Sequence, residues 1–262
     1  MSALSRTTRG TSGPGLLLAH GAGGGVAPNY GPILDRLADG RRVVGADYPG
    51  TGGTPRATHP LELDELADAL VAAADAEGLD RFAVAGYSLG GPVALRTATR
   101  HPGRVTALVL TAPFARVDHR TRLAAEVWRE LFASGQRELM GRFLLPLALG
   151  PTALDALSPE ELRAAVRSTG ETAPPGTADH VDLVLRADVR ADLAAVAVPT
   201  LVISTTRDRL VPPALHRAVA AGVPGARLAE LPTGHLPFAE APEEWGDLIT
   251  GFLGAQEGAP ER

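Results

Sequence analysis

One serine stands in a glycine-rich hexapeptide whose pattern is suited to nucleophilic chemistry. Residues 86–91 read GYSLGG, which places Ser88 in the pattern G-x-S-x-G. A serine hydroxyl becomes a strong nucleophile when a neighbouring imidazole takes its proton and a carboxylate fixes the tautomer of that imidazole. Such chemistry therefore requires one histidine and one acidic residue elsewhere in the chain.

The serine motif lies between a run that predicts a buried strand and a run that predicts a packed helix. Residues 82–85 are continuously apolar, and apolar residues recur over 93–98. A serine on so sharp a turn has strained dihedral angles, and glycines on either side avoid collisions with the strand and helix. The N–H of Leu89 then lies at a helix N-terminus, where negative charge is favoured. An ordinary glycine-rich turn with an incidental serine would show the same local pattern.

Two further polar residues each follow a predicted strand later in the chain. Asp208 comes after the apolar run 198–203, and His235 comes after a strand predicted over 226–231. Ligand and catalytic groups of α/β sheets gather at the carboxyl ends of the strands, where Ser88 is also expected. The chain order nucleophile, acid, histidine is the order found on this kind of sheet. The three residues together indicate a catalytic triad.

The elements that must position these residues alternate between strands and helices. The predicted strands and helices of this first part are 16–19, 29–38, 42–46, 61–77, 82–87 and 105–111. Such alternation predicts an α/β fold, with a mostly parallel central sheet flanked by helices.

A helical segment interrupts the alternation after the strand near 105–111. Its predicted helices lie over 118–134, around 136–149, from Ser158-Pro159-Glu160-Glu161 onward and near 178–187. The third of these begins with a capping box. Because the segment leaves the sheet after one strand and returns before the next, it should lie over the strand ends as a cap. We expect a core domain of residues 1–113 and 188–262 and a helical cap of residues 114–187.

The loop HGAGGG at residues 20–25 also allows a dinucleotide-binding interpretation. The spacing G-x-G-x-x-G/A fails there, because Val26 takes the place of the third small residue. Asp47 could imitate the ribose-binding acid of such a fold. A turn-rich loop without a helix follows it at 48–53, which favours a turn-forming Asp47.

Five motifs in the same order give the chain a resemblance to a known family, the α/β-hydrolase superfamily. They are HGAGGG at 20–25, DYPGTGG at 47–53, GYSLGG at 86–91, PTLVISTTRD at 199–208 and TGHLPFAEAP at 233–242. The resemblance covers nearly the whole chain and implies the α/β-hydrolase fold with a helical cap. It assigns the nucleophile to Ser88, the acid to Asp208, the base to His235 and an oxyanion-hole donor to the N–H of Ala22, beside that of Leu89. The chain before Leu16 is short, so one of the family's first strands could be missing or frayed.

These residues predict a serine hydrolase that cleaves a carboxylic ester, lactone or thioester through an acyl-enzyme, without a metal or cofactor. Two alternatives stay open. The same fold could serve as a carbon–carbon bond hydrolase, cyclase or lyase of a biosynthetic pathway, or as a non-catalytic ligand-binding receptor. A serine nucleophile argues against haloalkane dehalogenase and epoxide hydrolase chemistry, which similar proteins perform with an aspartate.

Apolar residues of the cap and of the loops after the later strands could line a pocket for a small, partly apolar substrate. They are Trp128, Phe132, Met140, Phe143, Leu144, Val211 and Leu236. The cap residues among them could equally form the core of the cap. His20 is expected to shape the loop 20–25, and five other histidines are expected on the solvated surface. These five are His59, His101, His119, His180 and His216.

Composition limits the other functions that the chain could have. The 262 residues are 45% hydrophobic, enough to bury a full core, and carry a net charge of −5, which argues against a nucleic-acid partner. The absence of cysteine excludes disulfides and thiolate metal sites, and the absence of lysine excludes a Schiff base. No apolar run is long enough to span a membrane, and the N-terminus lacks the apolar region of a signal peptide. We expect a soluble, cytoplasmic protein with a small-molecule substrate.

Overall fold

A mixed sheet forms the centre of the computed structural model, which describes residues 4–258. The strands of the described chain are β1 (Ser5–Arg9), β2 (Gly15–Ala19), β3 (Arg42–Asp47), β4 (Phe82–Tyr87), β5 (Val105–Thr111), β6 (Thr200–Thr205) and β7 (Arg227–Leu231). Their spatial order is β1-β3-β2-β4-β5-β6-β7. β1 is antiparallel to β3, and the other neighbours are parallel. This arrangement confirms the prediction of a mostly parallel α/β sheet.

Helices cover both faces of the sheet. They are α1 (Val26–Tyr30), α2 (Leu34–Leu37), α3 (Leu63–Ala76), α4 (Gly90–Arg100), α5 (His119–Ala133), α6 (Arg137–Ala148), α7 (Pro151–Asp155), α8 (Pro159–Glu171), α9 (Thr177–Arg186), α10 (Pro213–Gly222), α11 (Pro237–Glu240) and α12 (Pro242–Glu257), with 3₁₀ turns at Gly31–Ile33 and Leu193–Ala195. Within residues 4–258, no helix is both long and apolar enough to cross a membrane.

Alternate residues of the central strands feed two separate apolar cores. Leu17 of β2 packs into a cluster with α3 and α4, whereas Leu16 and Leu18 point to the opposite face. On that face they join Tyr30 of α1 and Trp245 of α12. Because side chains alternate along a strand, each of the strands β2 to β6 contributes to both cores. The buried sheet gives a rigid platform for the residues at the ends of its strands.

Two details near the N-terminus differ from the sequence-based expectation. The short segment before Leu16 does supply an edge strand, since β1 pairs with β3 from Ser5 opposite Asp47 onward. The helix predicted over 29–38 begins earlier, at Val26, and is broken by the 3₁₀ turn at Gly31–Ile33. Pro32 explains the break, because proline has no backbone N–H for a continuous α-helical ladder.

Five helices, α5 to α9, lie between β5 and β6. The predicted capping box is present at the start of α8: the Glu161 N–H donates to Ser158 Oγ at 3.3 Å, and the Ser158 N–H donates to Glu161 Oε2 at 2.8 Å. Helix α7 was not predicted, because a five-residue helix is too short to show a periodic pattern. The division into a core and a cap at residues 114–187 stays a prediction, and residues 1–3 and 259–262 of that core lie outside the described part of the chain.

Candidate active site

Ser88 lies on the tight turn that joins β4 to α4. Its φ of 53° is in the left-handed region, which costs conformational energy for a residue with a side chain. A Cβ on Gly86 would come 2.2 Å from the carbonyl oxygen of Gly90, and a Cβ on Gly90 would come 2.0 Å from that of Ala19. Both separations are far below van der Waals contact, so glycine is required on either side of the serine.

The structure brings Ser88, Asp208 and His235 together, although they are far apart in the sequence. Ser88 Oγ lies 3.0 Å from His235 Nε2, and His235 Nδ1 lies 2.6 Å from Asp208 Oδ2. The three residues are 7%, 4% and 4% exposed. An aspartate at this distance holds the proton of the imidazole on Nδ1 and leaves Nε2 to accept a proton from the serine. The arrangement can therefore activate the Ser88 hydroxyl.

The carboxylate of Asp208 is held by donors on both of its oxygens. Oδ1 accepts the backbone N–H groups of Leu210 and Val211 at 2.9 and 2.8 Å. Oδ2 accepts the hydroxyl of Thr205 at 3.0 Å in addition to His235. Since each oxygen has its own set of donors, the orientation of the carboxyl group is fixed.

Tyr87 and the end of α6 hold the loop that carries His235. The Tyr87 hydroxyl donates to the His235 carbonyl at 2.8 Å, and the rings of the two residues pack 5.2 Å apart. The His235 N–H donates to the carbonyl of Ala148 at 2.6 Å, and the Arg209 N–H donates to the carbonyl of Leu147 at 3.2 Å. The last carbonyls of a helix have no partner within it. Here two of these carbonyls accept hydrogen bonds from the loops that carry Asp208 and His235.

The side chain of Glu240 also connects the end of α6 with the loop that carries His235. Its Oε1 accepts the N–H of Gly150 at 3.1 Å and that of Gly234 at 3.0 Å. Sequence reasoning gave no role to Glu240 or Tyr87. A carboxylate near the histidine was visible in the motif at 233–242, but one of its two backbone partners, Gly150, comes from a segment 90 residues away.

Two backbone N–H groups beside Ser88 are free to bind an anionic oxygen. Those of Ala22 and Leu89 have no acceptor in the described structure, whereas their neighbours are engaged. The engaged pairs are Gly21 N–H to Asn29 Oδ1 at 3.0 Å, Gly23 N–H to His180 Nδ1 at 3.2 Å and Ser88 N–H to the Thr111 carbonyl at 3.0 Å. The Leu89 N–H lies at the start of α4, where negative charge is favoured, and the Ala22 N–H lies in the loop 20–25, so the two can serve together as an oxyanion hole.

A buried histidine and a half-buried aspartate fix the loop at 20–25. Nδ1–H of His20 donates to the Gly21 carbonyl at 2.8 Å, and Nε2 accepts the Tyr48 N–H at 2.9 Å. Burial lowers the pKa of His20 to about 3, which keeps it neutral and able to accept. Asp47 accepts the Val26 N–H at 2.8 Å, and burial raises the pKa of this carboxyl. These contacts agree with a shaping role for His20 and a structural one for Asp47.

The prediction that His180 and His216 lie on the solvated surface is wrong, because both are completely buried. His180 of α9 accepts the Gly23 N–H and donates from Nε2 to the Pro49 carbonyl at 3.0 Å. His216 of α10 places Nδ1 3.2 Å from Ser204 Oγ and Nε2 3.9 Å from Asp208 Oδ2. The remaining three do face solvent at least in part: His59 and His119 are exposed, and His101 is half-buried.

A cavity of about 410 Å³ lies between Ser88 and the helices α5, α6 and α8. Five of the predicted pocket residues line it: Trp128, Met140, Leu144, Val211 and Leu236. Phe132 and Phe143 are outside its lining. Phe132 packs instead against the Arg137 guanidinium, 3.7 Å from the ring centre, and Phe143 precedes Leu144 by one residue, which turns it about 100° around α6.

Thr121 and Ala125 line the cavity together with Trp128, since positions i, i+4 and i+7 share one face of α5. Helical spacing could have identified these two residues, but neither is large and apolar. Within residues 4–258, no group of three or more His, Asp or Glu side chains is arranged to hold a metal ion.

The buried His180 predicts that acid destabilises the fold in a defined pH range. Burial lowers its pKa from 6.5 to about 4, so between these values the unfolded chain binds a proton that the folded chain does not. Stability is therefore full above about pH 6.5 and falls as the pH drops toward 4. We expect His180→Gln, which keeps one donor and one acceptor, to reduce the slope of unfolding free energy against pH in this range by up to ~1.4 kcal/mol per pH unit.

Urea unfolding at several pH values between 4 and 7 measures that slope. His119→Gln, the same substitution on an exposed histidine, is the matched control. An identical slope in wild type and His180→Gln would show that His180 takes up its proton in the folded state.

Comparison with known proteins places this geometry in a family. A family model described as alpha/beta hydrolase fold matches residues 14–242. A pyrrolizixenacetamide deacetylase from Xenorhabdus hominickii is 34% identical over 243 residues, which cover 92% of this chain and 91% of the relative. A pimeloyl-[acyl-carrier protein] methyl ester esterase from Xanthomonas campestris is 34% identical over 260 residues, covering 93% and 96%.

The solved structure of another esterase has a fold similar to that of this chain. The thermophilic esterase from Thermogutta terrifontis superimposes with a TM-score of 0.83 at 26% identity, covering 97% of this chain and 94% of that one. The resemblance drawn from the five sequence motifs is thereby confirmed, and it replaces the dinucleotide-binding alternative. The chain belongs to the α/β-hydrolase fold family.

Proposed function

We propose that this hydrolase cleaves a carboxylic ester, lactone or thioester of a small, partly apolar substrate, and that Ser88 carries the acyl group during the reaction. The observation that carries the proposal is the continuous chain of short contacts from Ser88 Oγ through His235 to Asp208, at 3.0 and 2.6 Å. The two free N–H groups of Ala22 and Leu89 lie beside it.

In the first half of the reaction, Ser88 Oγ attacks the carbonyl carbon of the substrate while its proton passes to His235 Nε2. The N–H groups of Ala22 and Leu89 stabilise the oxyanion, at roughly 3 to 4 kcal/mol per donor. Asp208 stabilises the imidazolium. His235 then gives its proton to the departing alcohol or thiol, and the acyl group stays on Ser88.

In the second half, water replaces the leaving group. His235 Nε2 accepts a proton from water, whose oxygen attacks the acyl carbon, and the same oxyanion hole stabilises the second tetrahedral intermediate. Collapse of this intermediate returns the proton to Ser88 Oγ and releases the carboxylic acid. The groups of this chain and one water molecule account for every proton in the cycle.

The cavity indicates the size and character of the substrate. Its volume of about 410 Å³ is at the smaller end of the range for ligand pockets. Trp128, Met140 and Leu144 give the cap side an apolar surface. The methyl ester esterase named among the relatives acts on an acyl ester, which supports ester cleavage here.

An amide is the second candidate substrate, because the deacetylase among the relatives is as similar to this chain as the esterase, at 34% identity. The same serine, histidine and oxyanion donors can cleave an amide, whose nitrogen must receive the proton from His235. Comparison of kcat/KM for p-nitrophenyl acetate and p-nitroacetanilide discriminates between the two classes.

Labelling with a fluorophosphonate tests the proposal, because the probe reacts with an activated serine. We expect one adduct per chain, on Ser88, with labelling much slower in His235→Ala and Asp208→Asn, since both changes remove the activation of the hydroxyl. Intact mass spectrometry counts the adducts, and peptide mapping locates them.

Exposed Ser134 is the internal control, because its hydroxyl donates to a backbone carbonyl and has no histidine beside it. A correctly folded protein without an adduct would contradict the serine hydrolase and favour a non-catalytic binding role. An adduct without hydrolysis of any ester, thioester or lactone would favour carbon–carbon cleavage, cyclisation or lyase chemistry.

A further inference from the structure

The loop that carries the Ala22 N–H is held by side chains of two helices. The N–H of the preceding residue, Gly21, donates to Asn29 Oδ1 of α1 at 3.0 Å. The N–H of the following residue, Gly23, donates to His180 Nδ1 of α9 at 3.2 Å. The orientation of the Ala22 N–H therefore depends on a bond on each side of it, and one of these bonds comes from a helix that is distant in the sequence.

The backbone at Gly23 does not by itself favour one orientation of the peptide that joins it to Ala22. The φ of Gly23 is 64°, and the Gly24 N–H donates to the Gly21 carbonyl at 3.3 Å, which closes a turn with Ala22 and Gly23 at its centre. Glycine adopts positive and negative φ with similar ease. The central peptide of such a turn can therefore rotate unless its N–H has an acceptor. His180 supplies that acceptor.

The second ring nitrogen of His180 determines which nitrogen is the acceptor. Nε2 lies 3.0 Å from the carbonyl oxygen of Pro49, which can only accept, so the proton of the neutral ring lies on Nε2 and Nδ1 is left to accept. Burial keeps the ring neutral, since it lowers the pKa of His180 to about 4. A neutral ring with a fixed tautomer is a specific partner for the Gly23 N–H.

Helix α9 is anchored beside this histidine to the loop after β3. Asp179, the residue before the histidine, pairs with Arg56 of that loop through two hydrogen bonds of 2.9 Å. The loop after β3 in turn binds the start of the loop at 20–25, since the Tyr48 N–H donates to His20 Nε2 at 2.9 Å. The position of the imidazole relative to the oxyanion donor is therefore set by several contacts.

We propose that His180 is a positioning residue of the oxyanion hole: by accepting the Gly23 N–H, it keeps the Ala22 N–H pointed at the place where the oxyanion forms. The inference rests on the proposed hydrolase function and adds a residue of α9 to it. His180 is completely buried and does not line the cavity, so it acts through the backbone. The donors of such a hole must lie about 2.7–3.1 Å from the oxyanion. A rotated turn moves the donor out of that range, which weakens the transition state more than the bound substrate.

Two substitutions of His180 separate its two hydrogen bonds. In His180→Asn, the amide oxygen takes the place of Nδ1 and accepts the Gly23 N–H, but no atom reaches the Pro49 carbonyl. In His180→Gln, the longer amide reaches the place of Nε2 and donates to Pro49, but it leaves the Gly23 N–H without an acceptor. We expect His180→Gln to lower kcat/KM for p-nitrophenyl pentanoate at least about tenfold more than His180→Asn does.

Two ketones show whether this loss concerns the oxyanion. Butyl trifluoromethyl ketone is attacked by Ser88 Oγ at its carbonyl carbon while the serine proton passes to His235, so its oxygen becomes an oxyanion in the hole. Butyl methyl ketone has the same chain but is not activated for this addition. We expect His180→Gln to raise the inhibition constant of the fluorinated ketone at least about tenfold relative to His180→Asn, and to leave that of the methyl ketone unchanged. A merely structural role would affect both ketones alike.

Asp182→Asn is the matched control, because Asp182 lies on the same helix but pairs with Arg129 of α5 at 2.6 Å. It should change kcat/KM and both inhibition constants less than about twofold. Circular dichroism and thermal unfolding establish that the variants are folded. If a His180 variant does not fold, NMR of the isotope-labelled wild type measures the coupling across the hydrogen bond from the Gly23 N–H to His180 Nδ1. Because energetic coupling between two sites is reciprocal, the fluorinated ketone should increase this value and the methyl ketone should not.

The outcomes separate this inference from the proposed function. An equal or larger effect of His180→Asn on kcat/KM, equal weakening of both ketones, or the same NMR coupling with both ketones would overturn the positioning role and leave the hydrolase in place. Hydrolysis that persists in Ser88→Ala would overturn the serine mechanism itself. A loss confined to His180→Gln and to the fluorinated ketone would support the proposal.

Discussion

Ser88→Ala is expected to lower turnover of the best ester at least about a thousandfold, and the loss could reach a millionfold, as for other nucleophiles of this kind. The substitution removes the oxygen that forms the acyl-enzyme, while His235 and the oxyanion donors stay in place. Alanine experiences the same strain as serine at φ 53°, and within residues 4–258 the one side-chain hydrogen bond that is lost is that to His235 at 3.0 Å. The melting temperature should therefore change little. Steady-state kinetics and a thermal scan of the same preparation measure both effects.

Ser204→Ala is the matched control for this prediction. Ser204 is completely buried in β6 and bonds to His216, but it does not line the cavity. Loss of its hydroxyl should cost stability, roughly 1 kcal/mol, and far less turnover than loss of Ser88. Wild-type hydrolysis by Ser88→Ala would mean that another group attacks the substrate.

Asp208→Asn is expected to reduce kcat about ten-thousandfold, by analogy with the corresponding change in a serine protease. The donors around position 208 dictate how the side-chain amide of the asparagine must lie. Its oxygen has to face the N–H groups of Leu210 and Val211, which approach Oδ1 at 2.9 and 2.8 Å. The amide nitrogen then takes the place of Oδ2 and donates to His235 Nδ1. The imidazole is forced to carry its proton on Nε2, where it cannot accept the proton of Ser88.

The measurement is kcat on the best ester, together with a structure or NMR spectrum that reports the tautomer of His235. Asp188→Asn is a suitable control, because Asp188 is an exposed aspartate that pairs with Arg190. A variant at Asp208 with normal kcat would show that the tautomer of His235 does not depend on this carboxyl group.

The sequence was sufficient to predict the position of each proposed triad residue. Ser88, Asp208 and His235 each follow a predicted strand within a few residues, and parallel strands bring their carboxyl ends to one edge of the sheet. The parallel sheet itself follows from the alternation of predicted strands and helices along the chain. Apolar runs and strand ends are local patterns, and parallel strands place those ends at one edge. The location of the site could therefore be predicted without a structure.

The histidines show where such reasoning stops. The surface prediction for His180 rests on the lack of a partner at metal-ligand spacing, yet Thr177, Val181 and Val184 on the same face of α9 are buried with it. Helical spacing contained that information. The partners of His180 did not follow from any pattern, because Gly23 and Pro49 come from loops more than a hundred residues away. Phe132 and Phe143 were placed in the pocket for a similar reason: composition identifies apolar residues of a cap, but it does not give their rotation about the helix axis.

The carbonyl groups at the end of α6 limit how new specificities can arise in this protein. A cap that only covered the active site could be exchanged for another without harm to the chemistry. Here Leu147 and Ala148 bind the loops of Asp208 and His235, so an exchanged segment must end in a helical turn that presents two carbonyls at the same positions. Chimeras that keep residues 145–150 and α9, whose His180 binds Gly23 and Pro49, and replace the other helices between β5 and β6 should inherit a new substrate range together with the original turnover. Evolution of the pocket is then easiest in α5, α8 and the first turns of α6.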